Sequence, residues 1–152
     1  LLLIPALVWN VLFACRLPQA FSPPEFWRDI PLPLRLVENI SRIFVFSIPF
    51  LMPLEVSTRS QRWALLLFAI GTLIYFASWI ALIAVPMSAW STSALGFLAL
   101  AYTPTLWLLA LGFLGQRLYW GNRYRWWIYL IPTTLFLGAH LAHAALVFAR
   151  TH

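Results

Sequence analysis

Charge is the scarcest commodity in this sequence. Only 9% of its 152 residues are Asp, Glu, Lys or Arg, where a soluble domain carries about 25%. Lysine is absent, so all ten basic residues are arginine, and the acidic complement is limited to Glu25, Asp29, Glu38 and Glu55. A single cysteine, Cys15, excludes an internal disulfide and any CxxC redox or zinc arrangement. There is no glycine-rich phosphate loop, no GxSxG elbow and no HExxH. With one aspartate, a pair of catalytic aspartates is also excluded. The net charge of +6 does not point to nucleic acid, because the arginines are scattered between apolar runs. Basic loops flanking membrane spans account for them.

What the chain has in abundance is apolar sequence, at 62% hydrophobic residues. The expectation is an all-α, polytopic membrane helical bundle forming a single domain over 1–152. Five apolar segments emerge: Leu1 to Cys15, Leu34 to Leu54, Trp63 to Val85, Ala94 to Leu118 and Trp126 to Phe148. The last three exceed the roughly 20 residues needed to cross hydrocarbon. The opening run lacks a basic n-region and a small-residue cleavage site, and reads as a span and not a signal peptide. The all-arginine basic complement suggests a GC-rich genome and hence a bacterial cytoplasmic membrane.

Between the first two segments, "RLPQAFSPPEFWRDIPLP" holds five prolines. It reads as an interfacial segment with a short helical turn after Pro24, anchored by Phe26 and Trp27. Trp27, Trp63, Trp90, Trp120, Trp126 and Trp127 sit at segment ends, as an aromatic belt requires. Arg59, Arg62, Arg117, Arg123 and Arg125 fall on one membrane face, which is the expected cytoplasmic side. Glu55 is expected to pair with Arg59 at i,i+4. Pro104 and Pro132 interrupt the last two spans, and neighbouring threonine hydroxyls are expected to help satisfy the carbonyls they free.

The second segment carries the unusual chemistry. In "RLVENISRIF", Arg35, Glu38, Asn39 and Arg42 occupy an arc of about 100° on a helix. Glu38 and Arg42 form an i,i+4 pair and Arg35 and Glu38 an i,i+3 pair. Local pairing in the headgroup layer would leave only "IFVFSIPFLMPL", 12 residues, to cross the bilayer, too few for an ordinary span. Part of the stripe should then lie below the surface, where an ionisable group faces the bundle interior with a partner.

The fifth segment offers one. In "GAHLAHAA", His140 and His143 share a face, continued backward by Phe136, Thr133 and Tyr129. Counting from the shared membrane side, His143 lies roughly 8 Å deep, and His140 and Arg42 roughly 12 Å deep, at 1.5 Å per residue. Asn10 of the first segment and Tyr75 of the third reach comparable levels. The candidate pocket is therefore Arg35, Glu38, Asn39, Arg42, Asn10, Tyr75, His140 and His143. Guanidinium forks suit a lipid headgroup or a small anionic molecule, and binding or transport of one is the leading expectation. If the chain is an enzyme, His140, His143 and Glu38 would carry acid-base chemistry on a lipid-linked substrate. A third reading is an accessory subunit contacting a membrane-protein partner or a second copy. Membrane lipids are expected partners and nucleic acid is not. His140, His143 and Glu38 could be imagined as metal ligands, but no metal is assigned, and no cofactor is indicated.

Overall fold

A computed structural model describes residues 2–53, 55–119 and 124–151. Leu1 and Leu54, which bound the first two expected spans, and Trp120 and Arg123, assigned to the belt and the basic face, lie outside the described residues.

The protein is all-α. The first rod is α1 (Ile4–Phe13), followed by 3-10 turns at Ala14–Arg16 and Gln19–Phe21 and a single helical turn, α2 (Pro23–Phe26). α3 (Leu32–Ser47) opens with Pro33 in its first turn, where a missing N–H costs nothing. It gives way at Pro49 to a 3-10 stretch, Ile48–Leu51. α4 (Arg59–Ala84) begins at Thr58, which forms a reciprocal capping box with Gln61, and stops before Pro86, which disfavours helix at the residue ahead of it. The next rod is broken into α5 (Ala94–Phe97), α6 (Ala99–Tyr102) and α7 (Pro104–Leu114). α8 (Trp126–Thr151) runs through Pro132 without interruption.

Two of these helices are long and apolar enough to cross a membrane: Arg59–Ala84, with mean hydropathy 2.2, and Trp126–Thr151, with 1.5. The other three expected spans are not continuous helices of that length. The second loses α-helical bonding at Pro49, and the fourth is punctuated at Leu98 and Thr103 and ends at Leu114 instead of Leu118. The first contributes an apolar helix of intermediate length. The threonine hydroxyls beside the prolines bond to neighbours of the freed carbonyls: Thr103 donates to Ala99 at 2.6 Å and Thr133 to Tyr129 at 2.8 Å.

Packing pairs α4 with α7 and α3 with α8, while α7 and α8 join the halves. Gly71 permits the first contact, since a Cβ there would lie 2.8 Å from both the Leu106 Cβ and the Trp107 backbone nitrogen. Gln61, almost fully buried, donates from Nε2 to the Leu114 carbonyl at 3.2 Å, tying the start of α4 to the end of α7. Where α7 meets α8, the Tyr124 hydroxyl donates to the Gly112 carbonyl at 3.0 Å, and burial pushes that phenol's pKa upward. The core between the rods includes Phe68, Tyr75, Trp107, Leu108, Tyr129 and Phe136.

A smaller apolar cluster of Ile30, Phe97 and Val147 fastens the proline-rich connection over the C-terminal end of α8. Arg150, in the last turn of α8, donates to the backbone carbonyls of Arg28 and Glu25. The helical turn in this connection starts at Pro23, and the rings of Phe26 and Trp27 lie against His143 of α8. Glu55 pairs with Arg117, 62 residues on, and not with Arg59.

Candidate functional site

The buried face of α3 follows Glu38, Ser41 and Val45 and continues at Ile48 in the 3-10 stretch beyond it, the spacing of one helical stripe. Three of these are small or apolar residues, and the fourth is a carboxylate with 0% exposure. An ionised group so placed is tolerated only when paired and hydrogen-bonded. Three partners meet that need. Arg42, one turn along α3, reaches Oε1 with its guanidinium. His140 Nδ1 lies 2.9 Å from the same oxygen, and His143 Nδ1 lies 2.5 Å from Oε2. The two histidines stand three residues apart on α8, so one helix face delivers one imidazole to each carboxylate oxygen.

His143 is as deeply buried as Glu38, at 0% exposure, and its other nitrogen is also committed. Nε2 lies 2.8 Å from the backbone carbonyl of Phe26. The rings of Phe26 and Trp27 close over the imidazole with centroids 4.2 and 4.6 Å away. A backbone carbonyl only accepts, and so does an ionised carboxylate. A neutral imidazole has one N–H and cannot serve both. Hence either His143 carries both protons, or Glu38 is protonated and donates to Nδ1. In both cases the pair holds one proton beyond the N–H directed at Phe26.

His140 differs. Its side chain is 20% exposed, its ring stacks on Phe136 at 5.4 Å, and among the described residues its Nε2 has no hydrogen-bond partner. Two cavities flank it. One, about 250 Å³, is bounded by the proline-rich connection and the ends of α1 and α4 through Phe21, Phe26, Ala14 and Trp79. The other, about 430 Å³, lies further into the bundle beside Arg42, Phe46, Trp107 and Phe136. Asn10, Tyr75, Leu100 and His140 line both. The Tyr75 hydroxyl donates to Asn10 Oδ1 at 2.7 Å, closing part of this shared ring from α4 to α1. Trp107 keeps its indole N–H buried and without a partner among the described residues.

Of the residues singled out in the sequence, Glu38, Arg42, His140 and His143 are in direct contact, and Asn10 and Tyr75 adjoin them across the cavities. Arg35 and Asn39 do not join. Arg35 is exposed and lays its guanidinium over the Trp27 ring at 5.7 Å, so the expected pair with Glu38 does not form. Asn39 is exposed and its side chain makes no hydrogen bond to the described residues. The reason is angular. At about 100° per residue, the buried stripe is centred near Ser41 and Val45, and the polar arc overlaps it only at the Glu38 and Arg42 edge. Asn39 lies at the far edge.

Phe26, Trp27, Phe136 and Trp107 were not among the sequence candidates. The cluster of Phe26 and Trp27 beside prolines was visible, but its reach to His143 depends on how the connection folds back. Among the described residues, no group of three or more His, Cys, Asp or Glu side chains is arranged to hold a metal ion. The imidazole Nδ1 atoms go to different oxygens of one carboxylate and do not converge on a shared point. No known protein family, curated protein or solved structure matches this chain.

Proposed function

We propose that the chain is an integral membrane protein of five helical rods whose intramembrane pocket binds, or helps to transport, an anionic group belonging to a lipid headgroup or a small molecule. The membrane is that of a bacterium, the reading its all-arginine basic complement favours. The surfaces of the two long helices support insertion. Only 39% of the apolar window of α4 and 33% of that of α8 is buried within the protein, whereas a core helix of a soluble domain would be covered. Leu66, Ile70, Leu73, Leu135 and Leu146 all face outward, forming the kind of apolar surface that a soluble monomer avoids. The shorter rods fit a bundle in which the broken helix lines a cavity, the one setting in which irregular backbone is tolerated at membrane depth.

The observation that carries the ligand reading is the charge of the buried cluster. Glu38 supplies one negative charge, Arg42 one positive charge, and the proton held between Glu38 and His143 a second. The sum is a net positive charge beside the larger cavity. Arg42 gives Glu38 one of its Nη atoms and retains further N–H groups. Asn10, whose oxygen is occupied by Tyr75, offers its amide N–H groups to the same space. A donor-rich, cationic, low-dielectric lining favours an anion.

The test is thermal stabilisation of purified protein in micelles by phosphatidylglycerol, by inorganic phosphate and by sodium acetate. At least one of these should raise the melting temperature, and Arg42→Ala should abolish the rise while Arg35→Ala retains it. Stabilisation by the lipid alone identifies a headgroup, and stabilisation by the soluble anions identifies a small molecule. No shift with any of the three, or an equal shift in Arg42→Ala, overturns the reading.

A second reading, an intramembrane enzyme acting on a lipid-linked substrate, draws on one feature: the unpartnered Nε2 of His140 at the wall of both cavities. His140 would act as the base, oriented through Nδ1 by Glu38 as a catalytic imidazole is oriented by a carboxylate. Lipid turnover lost in His140→Gln would favour it, and turnover unchanged in that variant would remove it.

A further inference from the structure

The two cavities follow one another along the bundle, and their order is fixed by the residues that line them. On α1 the wall passes from Leu7 and Asn10 around the larger cavity to Asn10, Ala14 and Leu17 around the smaller. On α8 it passes from Phe136 and His140 to His140 and Ala144. The broken rod runs the opposite way, from Leu108 back through Leu100 to Phe97. Each helix thus agrees that the smaller cavity is outer, toward the proline-rich connection, and the larger is inner. Asn10, Tyr75, Leu100 and His140, one from each of four helices, form a waist between them.

Both chambers are lined mainly by apolar side chains, and they differ in charge. The inner one holds the charge, Arg42, while each wall carries a buried indole N–H without a hydrogen-bond partner among the described residues, Trp107 in the inner and Trp79 in the outer. The outer one is bounded by the rings of Phe21, Phe26, Trp79 and Phe97 and has no arginine or carboxylate in its lining. This polarity is inverted relative to a lipid lying in its leaflet, whose charged head sits at the surface and whose apolar chains point inward.

We propose that the pocket takes a slender amphipathic monoanion, a single carboxylate on one narrow apolar or aryl body, inserted head first. The anionic group lies in the inner chamber against Arg42, within reach of the waist donors. The body threads the waist and fills the aromatic outer chamber. A diacyl phospholipid lying in its leaflet does not fit this description, because its head would meet the aromatic outer chamber and its chains the charged inner one. The combined space is within the roughly 300–1,000 Å³ typical of small-molecule sites. This inference rests on the anion-binding reading above and specifies the rest of the ligand.

The probes are sodium acetate, octanoate and 3-phenylpropionate, with 3-phenylpropanamide as the uncharged counterpart, titrated calorimetrically into detergent-solubilised protein. Octanoate or 3-phenylpropionate should bind at least tenfold more tightly than acetate, and the amide should bind at least tenfold more weakly than its acid. Ala14→Trp fills the outer chamber from an exposed position at its rim. It should weaken 3-phenylpropionate at least tenfold and leave acetate within twofold, with an unchanged melting temperature showing intact folding. Leu17→Trp, from a second position on that wall, should do the same. Equal affinity for acetate and the longer acids, or indifference of the longer acids to both tryptophan variants, overturns head-first insertion. If acetate still binds through Arg42 in that outcome, anion binding stands without it. If no anion binds, both fall.

Discussion

Replacing Glu38 by alanine should expose how much of the fold depends on one carboxylate. The substitution leaves Arg42, His140 and His143 without their common acceptor. Arg42 has an escape, since its side chain is 35% exposed and can extend toward water. His143 has none, being fully buried beneath Phe26 and Trp27. Removing one partner of a buried, hydrogen-bonded charge cluster costs about 3–5 kcal/mol. For a chain of this size each kcal/mol moves the melting temperature by roughly 2–4 °C, so the loss should be on the order of 10 °C. Glu38→Gln should cost about half as much. Its amide oxygen can accept from His140, and its amide nitrogen can donate to His143 Nδ1, which lets a neutral His143 keep its N–H on the Phe26 carbonyl. The decisive measurement is a double-mutant cycle by reversible unfolding in mixed micelles. His143→Phe preserves the ring packing and removes the stranded imidazole, so Glu38→Ala combined with His143→Phe should cost far less than the sum of the two. Additivity within about 0.5 kcal/mol, or a Glu38→Ala protein as stable as the parent, would refute the idea that these side chains act as one unit.

Three other consequences follow from the packing. Gly71→Leu should separate α4 from α7 and lower stability by about 1–3 kcal/mol, seen as a lower melting temperature. Gln61→Ala removes the side-chain half of the capping box, which accepts from the Thr58 N–H, and the bond to Leu114. It should cost about 1–2 kcal/mol, whereas Ser60→Ala beside it should cost under about 0.5 kcal/mol. Arg150→Ala releases the carbonyls of Arg28 and Glu25, so trypsin should cut after Arg28 several-fold faster, with the rate followed by mass spectrometry.

Much of this site was legible because helices convert spacing into geometry. The three-residue interval of His140 and His143, extended back through Phe136, Thr133 and Tyr129, defined the buried face of α8 before any coordinates. Counting residues from the common side brought Arg42 and His140 to the same depth. Neither count could show that Arg35 would leave the cluster, because the inward direction of α3 is set by its packing on α8 and not by its polar arc. The Glu55 partner was misjudged for a related reason. A local i,i+4 candidate was visible in the sequence, but Arg117 approaches from a distant segment, where Tyr119 bonds its N–H to the Leu51 carbonyl at 3.0 Å. The break at Leu98 was equally hidden. It follows an approach so close that a Cβ on Gly96 would fall 1.9 Å from the Trp90 carbonyl oxygen, a contact invisible to a hydropathy count.

Stability alone is a poor reason for the buried face of α3 to carry Glu38. An apolar stripe continuing Ser41, Val45 and Ile48 would pack α3 on α8 without desolvating a charge, and such replacements of buried ion clusters are often neutral or stabilising. The arrangement is also not the cheapest way to satisfy a carboxylate, since Arg42 alone would suffice at a partly exposed position. Two histidines and an overlying backbone carbonyl are added, and they hold an extra proton and leave the cluster with surplus positive charge. That surplus lies beside a cavity, and one imidazole keeps a nitrogen unbonded there among the described residues. A purely structural cluster would be expected to close on itself and end neutral. This one is cationic on its cavity side, which favours a role in recognition over a role in holding helices together.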